Sequence, residues 1–288
     1  MTEIVCTPAE VANGTLLHEH RDAAVAALHE DGFVVLKNVV DVAHLDVIEE
    51  RMLADVEAVL ARPDAPFNFN TGNVQQAPPP FHPYLFRDIL FNEQVIAVTR
   101  HILGDGLKNS YYSGNTAIPG GTRQPVHPDI AQLWPGLTEA TPPFGLVVNI
   151  PVTDMNPANG STEFWPGTHR DCTYSFFDGS LRVPDEELAR WRTTRPAFQP
   201  TVSRGDAIIR DIRMWHAGMP NTTERYRIMI AMIHFTKWWN DSIEIAEFPE
   251  EARPFFNHPV LRTNARFSDS VDHIQHAAAY DLHKGSSK

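Results

Sequence analysis

After residue 108 the chain is written in short strand-like runs separated by glycine- and proline-containing turns, and this constrains the fold more than any other feature. Asn109–Ala117, Gly145–Val152 (GLVVNIPV), Ala207–Asp211 and Arg227–Thr236 each fit a strand. Strand-like runs spaced by glycine- and proline-containing turns point to an antiparallel sandwich or barrel. Residues 168–197 interrupt the series, with a short helix expected over Asp185–Trp191 after Pro184.

The N-terminal third reads differently. Ala23–Leu28 is helical in pattern, and Gly32 then precedes the apolar run Phe33-Val34-Val35-Leu36, which suits a buried strand. Asp41 is placed to cap a longer helix through Val47, Met52, Val56 and Val59 to Arg62, where Pro63 stops it. A further helix is expected over Asn92–Leu103, with Gly104 beyond its end. Between them, Pro66–Pro83 is rich in Asn, Gln and Pro and has no periodicity, so it reads as a loop of the kind that closes over binding sites. The tail from Pro249 is polar with weak helical patterning. A length of 288 residues with 42% apolar content suits one domain spanning 1–288, with its core over about 20–240.

Charge and cysteine usage remove several function classes. The formal net charge is -12 and no basic cluster is visible, which argues against nucleic acid or an anionic membrane as partner. Cys6 and Cys172 form neither a disulfide framework nor a thiolate metal site. No signal-peptide pattern and no membrane-length apolar run is visible, so a soluble, cytoplasmic protein is expected. Oligomeric state is left open, a homodimer included.

Val126-His127-Pro128-Asp129 supplies an HxD pair. On an extended segment residues i and i+2 share a face, so an imidazole and a carboxylate converge on one point. His216 follows the strand-like Gly205-Asp206-Ala207-Ile208-Ile209 and is the candidate third ligand. Two histidines and one carboxylate on one face of a metal leave positions open for a cosubstrate and oxygen. The chain has 14 histidines, so HxD alone discriminates poorly; His18 and His20 form a similar HEH pair, near the N-terminus with no strand pattern around it, that reads as solvated. A zinc hydrolase or a non-catalytic metal-binding protein would use the same three ligands.

Three separated motifs narrow the choice. They are Asn159–His169 (NGSTEFWPGTH), Gly205–Arg227 (GDAIIRDIRMWHAGMPNTTERYR) and Gly32–Leu36. Together they resemble the phytanoyl-CoA dioxygenase family of Fe(II)/2-oxoglutarate oxygenases, over roughly residues 20–240. The resemblance implies a mainly β protein with flanking helices, a double-stranded β-helix (jelly roll, cupin-like) core behind N-terminal helices. It implies Fe(II), with 2-oxoglutarate and O2 as cosubstrates. It places His127, Asp129 and His216 on the iron and Arg227, eleven residues after His216, on the far carboxylate of 2-oxoglutarate. A guanidinium fork suits that task, since it binds a carboxylate at two points and stays charged when enclosed. Arg225 has the same strand parity and is the rival. Asn115 and Thr162 are further candidates for the 2-oxoglutarate site. His169 belongs to the PGTH turn and is not a ligand. Pro128 cannot donate a backbone hydrogen bond, so the HxD segment should sit at an edge or bulge.

The implied activity is C–H oxidation of a small-molecule metabolite, such as a natural-product intermediate, with release of succinate and carbon dioxide. The presence of Asp129 implies oxidation without halogen incorporation. For substrate contact the aromatic candidates are Tyr112, Trp134, Phe144 and Trp238, and the lid candidates are Asn70, Asn73, Gln75 and Gln76.

Overall fold

The computed structural model describes residues 1–69, 72–176, 180–242, 246–275 and 277. Asn70, one of the expected lid residues, lies outside them. The chain opens with β1 (Glu3–Val5), α1 (Pro8–Asn13) and α2 (His18–Asp31). α2 stops where Gly32 takes a φ of +85° and its N–H reaches the Leu28 carbonyl, a conformation glycine adopts without Cβ strain. β2 (Phe33–Lys37) follows at once, then α3 (Val42–Leu60), whose cap is the Asp41 side chain accepting from the Ala43 N–H. β3 (Asn73–Gln75), the single turn α4 (Arg87–Leu90) and α5 (Glu93–Leu103) complete the N-terminal third. Asn92 caps α5 by accepting from the Val95 N–H at 3.0 Å.

The strands expected from residue 109 onward form. They are β4 (Lys108–Ala117), β5 (Gly145–Pro151), β6 (Glu163–Phe164), β7 (Ala207–Asp211), β8 (His216–Ala217) and β9 (Arg227–Phe235), with α6 (Asp185–Thr194) before β7. The major sheet runs β1-β2-β7-β5-β9-β4, with β3 beside β4, and its central pairings are antiparallel. A second layer is built on the β6–β8 pair. It is extended by the His127–His216 and Phe164–Phe198 bridges. The two layers enclose a cavity, the arrangement of a double-stranded β-helix, or jelly roll.

Strand alternation sorts the side chains of the major sheet. Val34, Leu36, Ile209, Val148, Ile150, Ile230 and Met232 face outward and pack with Leu28, Leu45, Ile48, Met52 and Val95 of the helices in one apolar cluster. Full burial of each such side chain stabilises by roughly 1.5–3 kcal/mol. The helices therefore cover one face; on the other, Phe33, Val35 and Ile208 pack against the second layer and the remainder lines the cavity.

Two expectations are corrected. The segment 66–83 is not structureless: Asn73–Gln75 pairs with β4, and Phe67 bridges Val74. The Gln75 N–H reaches the Pro66 carbonyl, so backbone bonding on both sides holds the segment as an edge strand. The tail is not simply polar and weakly helical either. It contributes β10 (Ala246–Pro249), β11 (Arg262–Thr263), which adds to β4, and β12 (Ala265–Ser268), which pairs with β10. Phe248 and Leu261 supply the apolar anchors that dock it. No helix among the described residues is long and apolar enough to cross a membrane.

Candidate metal centre

His127, Asp129 and His216 come together, with one potential ligand atom from each lying within 4.8 Å of the others. Backbone bonding sets this geometry. The His127 N–H donates to the His216 carbonyl and the His216 N–H to the His127 carbonyl, both at 3.0 Å. The two histidines are thus a directly opposed antiparallel pair, with ring centroids 4.6 Å apart. Pro128 breaks the ladder, and the Asp129 N–H turns to the Ile212 carbonyl at 3.1 Å. The HxD segment makes one isolated bridge only, which accords with the edge or bulge position expected for Pro128.

Each imidazole is fixed in one tautomer. His127 donates Nδ1–H to the Pro125 carbonyl at 2.7 Å, and His216 donates Nδ1–H to the Met214 carbonyl at 3.1 Å. A carbonyl only accepts, so Nδ1 carries the proton and Nε2 keeps a lone pair for a cation. Asp129 Oδ1 lies 3.5 Å from His216 Nε2. Burial, and next the Arg210 cation, push the His216 imidazole down to about 3. Burial also lowers His127. Burial raises the Asp129 carboxyl, but Arg210, His216 and His127 outweigh it and hold it at about 2. All three groups are therefore in the metal-binding protonation state at neutral pH.

Arg227 opens β9 and is 1% exposed. It donates Nη2–H to the Gly160 carbonyl at 2.9 Å and Nη1–H to the Asn115 carbonyl at 3.3 Å, while Nε has no partner among the described residues. Burial lowers it to about 10, and no carboxylate pairs with it among the described residues. A buried cation without an anion is costly unless an anionic ligand completes it. The rival Arg225 lies before the strand and is exposed. Asn115 and Thr162 line the same cavity.

The cavity has a volume of about 510 Å³. Toward the start of β9 it is lined by amides, Asn68, Asn73, Gln75, Asn115 and Gln124. Toward the end of β9 it is apolar, lined by Ile130, Val147, Ile212, Ile233 and Phe235. Of the lid candidates, Asn73 and Gln75 line the cavity. Gln76 faces away, donating to the Met52 carbonyl and accepting from Thr116. The four aromatic candidates do not line it. Alternation along β4 turns Tyr112 to the outer face, where it packs on Phe248, and turns Tyr111, Ser113 and Asn115 inward. Phe144 is buried behind the apolar end, stacked on Trp239. Trp134 and Trp238 are surface residues, 57% and 64% exposed.

The NGSTEFWPGTH stretch acts mainly by supporting the β8 strand that carries His216. Phe164 pairs with His216, the Trp165 N–H reaches the Trp215 carbonyl, and Thr168 Oγ1 accepts from the Trp215 N–H. Gly160, at φ +79°, sits so close to the Met219 carbonyl that a Cβ would be 2.5 Å from it. Glycine there permits the turn that aims its carbonyl at Arg227. His169 packs its ring on the end of α2, near the His29 carbonyl, and is not in the triad. His20 pairs with Glu10 at 2.9 Å on the helical surface.

One polar residue of the inner face escaped the sequence reading. Arg210 donates Nη2–H to Asp129 Oδ2 at 2.6 Å. Its signal was present: an arginine inside the apolar run AIIRD, on the same parity as Ile208, must point inward and needs a partner.

A jelly roll with two histidines and one carboxylate facing an enclosed cavity defines a class, the cupin-like proteins with a facial metal triad. The chain belongs to the phytanoyl-CoA dioxygenase (PhyH) family, whose profile matches residues 28–229. Dioxygenase af480 of Aspergillus fumigatus is 27% identical over 208 residues, covering 70% of this chain and 62% of that protein's length, less than two thirds. Among solved structures, AviO1 from Streptomyces viridochromogenes Tue57 matches with a TM-score of 0.56 at 23% identity, over 76% of this chain and 96% of AviO1. SnoN, the non-haem alpha-ketoglutarate-dependent epimerase from nogalamycin biosynthesis, matches with a TM-score of 0.54 at 15% identity, over 76% of this chain and 81% of SnoN. At these identities both show the fold.

Proposed function

We propose that the protein is an Fe(II)- and 2-oxoglutarate-dependent dioxygenase of a small, uncharged metabolite, with His127, Asp129 and His216 holding the iron. One observation carries this reading. The same enclosed cavity holds a facial triad and a buried arginine, Arg227, with no carboxylate partner among the described residues. A dicarboxylate that binds a cation at one end and needs a counter-charge at the other fits both. A zinc hydrolase would use the triad and leave Arg227 without a purpose.

The donor set suits iron: two neutral imidazoles with Nε2 free and one ionised oxygen donor. Bound there, iron with 2-oxoglutarate and O2 supplies the oxidising chemistry, and the cosubstrate leaves as succinate and carbon dioxide. Arg227 grips the far carboxylate, with Asn115 and Thr162 beside it. The opposite, apolar end around Ile130, Val147 and Ile233 receives the metabolite. The charged groups lining the cavity are already assigned, Arg210 with Asp129 and Arg227 with the cosubstrate. The metabolite portion that enters is therefore neutral. That SnoN works in nogalamycin biosynthesis supports a natural-product intermediate over an acyl-CoA.

The test is a panel of neutral metabolites scored by succinate release and product mass. Iron-dependent succinate formation that disappears in His216→Ala, with an oxidised and halogen-free product in chloride or bromide buffer, is expected. Succinate release independent of iron, or intact in His216→Ala, would overturn the assignment.

A further inference from the structure

The two cavity arginines have different partners. Arg227 lies at the start of β9 with no anion. Arg210 lies in β7, opposite Phe33 of β2 and Val147 of β5, and is held by strands on both sides. It is 6% exposed and bonded to a triad residue. The Asp129 carboxylate is thereby split. Oδ2 accepts from Arg210 Nη2 at 2.6 Å, while Oδ1 lies 3.5 Å from His216 Nε2. A guanidinium beside a cation site is electrostatically unfavourable for the cation. Its placement there calls for a reason other than affinity for the metal.

We propose that Arg210 is a positioning residue that holds Asp129 as a one-oxygen metal ligand and so keeps an adjacent coordination position open for the cosubstrate. The proposal rests on the metal reading above. Carboxylates bind metals through one or both oxygens. A charge-assisted bond of this length competes with the metal for the second oxygen. With Oδ2 held by Arg210, only Oδ1 turns toward the histidines. Without Arg210, both oxygens are free to close on the metal and occupy a position that 2-oxoglutarate needs.

This role has an uncommon signature, because the two ligands respond in opposite senses. Removing Arg210 removes a positive charge next to the cation and frees a second oxygen donor, so the metal should bind as well or better. The cosubstrate should bind worse. A residue that only supports the local fold would weaken both together. The experiment titrates Co(II), as an oxygen-stable stand-in for Fe(II), into metal-free wild type, Arg210→Met, Arg210→Lys and His216→Ala by calorimetry. 2-Oxoglutarate is then titrated into each Co(II)-loaded protein.

The expected result for Arg210→Met is Co(II) affinity equal to or above wild type, with 2-oxoglutarate binding weakened about tenfold, the scale of one lost coordination contact or charged hydrogen bond. Arg210→Lys, which restores a cationic donor, should recover part of that loss. Should Arg210→Met not fold, Arg210→Gln reads the same two affinities. The proposal is overturned if 2-oxoglutarate affinity stays within about twofold of wild type. It is equally overturned if Co(II) binding weakens as much as 2-oxoglutarate binding does. Co(II) binding that is as tight in His216→Ala as in wild type would instead show that the triad itself had been misassigned, which removes the basis for both readings.

Discussion

The two faces of the major sheet are made from alternate residues of the same strands, yet they carry opposite chemistry. On the outer face, Ile209, Val148, Ile150, Ile230 and Met232 pack against helices in a continuous apolar cluster. On the inner face the same strands present Arg210, Asn149, Ser113, Asn115 and Arg227 to a cavity. The Ser113 Oγ and the Arg227 Nε lack partners among the described residues. Unmet polar groups oppose folding, and the outer face must offset them. The larger apolar cluster thus lies on one side of the sheet, and the reactive groups on the other, beside the smaller cluster of Phe33, Val35 and Ile208. The prediction that follows is separability: substitutions on one face should move one property and spare the other.

The largest effect should come from the inner layer. His127→Ala, Asp129→Ala and His216→Ala should each lower iron-dependent turnover by at least about a thousandfold, some 4 kcal/mol. Thermal midpoints of metal-free His127→Ala and His216→Ala should stay close to wild type, whereas Asp129→Ala, which leaves Arg210 without its anion, should fall. A histidine variant that unfolds would show that the two functions of the sheet are not separable.

The reciprocal experiment is Ile230→Ala on the outer face. It should destabilise by roughly 2–5 kcal/mol in chemical denaturation, as buried large-to-small changes do. Co(II) affinity of the remaining folded protein should be unchanged. Loss of metal affinity would show that the outer face tunes the site through the strand.

The outer face also holds one buried imidazole. His234 of β9 bonds Thr99 of α5 at 3.0 Å, and burial pushes it down to about 3. The folded state thus disfavours the proton relative to the unfolded chain, where an imidazole titrates near 6.5. Its contribution is fully present above that value and is lost as pH falls from 6.5 toward 3, by up to about 1.4 kcal/mol per pH unit. His234→Gln keeps a partner for Thr99 and cannot titrate. Denaturation midpoints at pH 7.5 and 5 should differ less in that variant than in wild type. An equal difference would refute this source of acid sensitivity.

The smallest effects are expected at the cavity's edge strand. Asn73→Ala and Gln75→Ala, at the Arg227 end of the cavity, should weaken 2-oxoglutarate binding a few-fold, about 1 kcal/mol, and change turnover of the metabolite less. Steady-state constants for each substrate separate the two. A larger effect on the metabolite would place these amides at the metabolite instead.

The same contrast between faces explains what was legible beforehand. Strand positions and helix ends were readable because Asp41 and Gly104 act locally, and because apolar runs between breakers have few other uses. The His127/Asp129 pair stood out by its spacing, and His216 and Arg227 by resemblance to the family's motifs; the fold brings all four to one cavity. Tyr112 was expected at the cavity for its aromatic ring alone; Tyr111 beside it is equally aromatic, and the register shift between Asn109 and Tyr112 obscures which of the two faces inward. The β3 edge strand was hidden because its hydrogen bonds come from β4 and Pro66, far away in pattern if not always in sequence. Arg210 was missed for a simpler reason. A charge within an apolar strand was read past, although burial alone demanded a partner for it.

The central claim is that one cavity binds 2-oxoglutarate at two points, through a metal on the triad and through Arg227. Anaerobic calorimetry of 2-oxoglutarate tests it directly. Wild type with Fe(II) should bind tightly. Binding should weaken at least about tenfold without metal, and about 10- to 100-fold in Arg227→Ala, while Arg225→Ala should stay within about twofold. Equal affinity with and without Fe(II), or a greater loss in Arg225→Ala than in Arg227→Ala, would contradict the account.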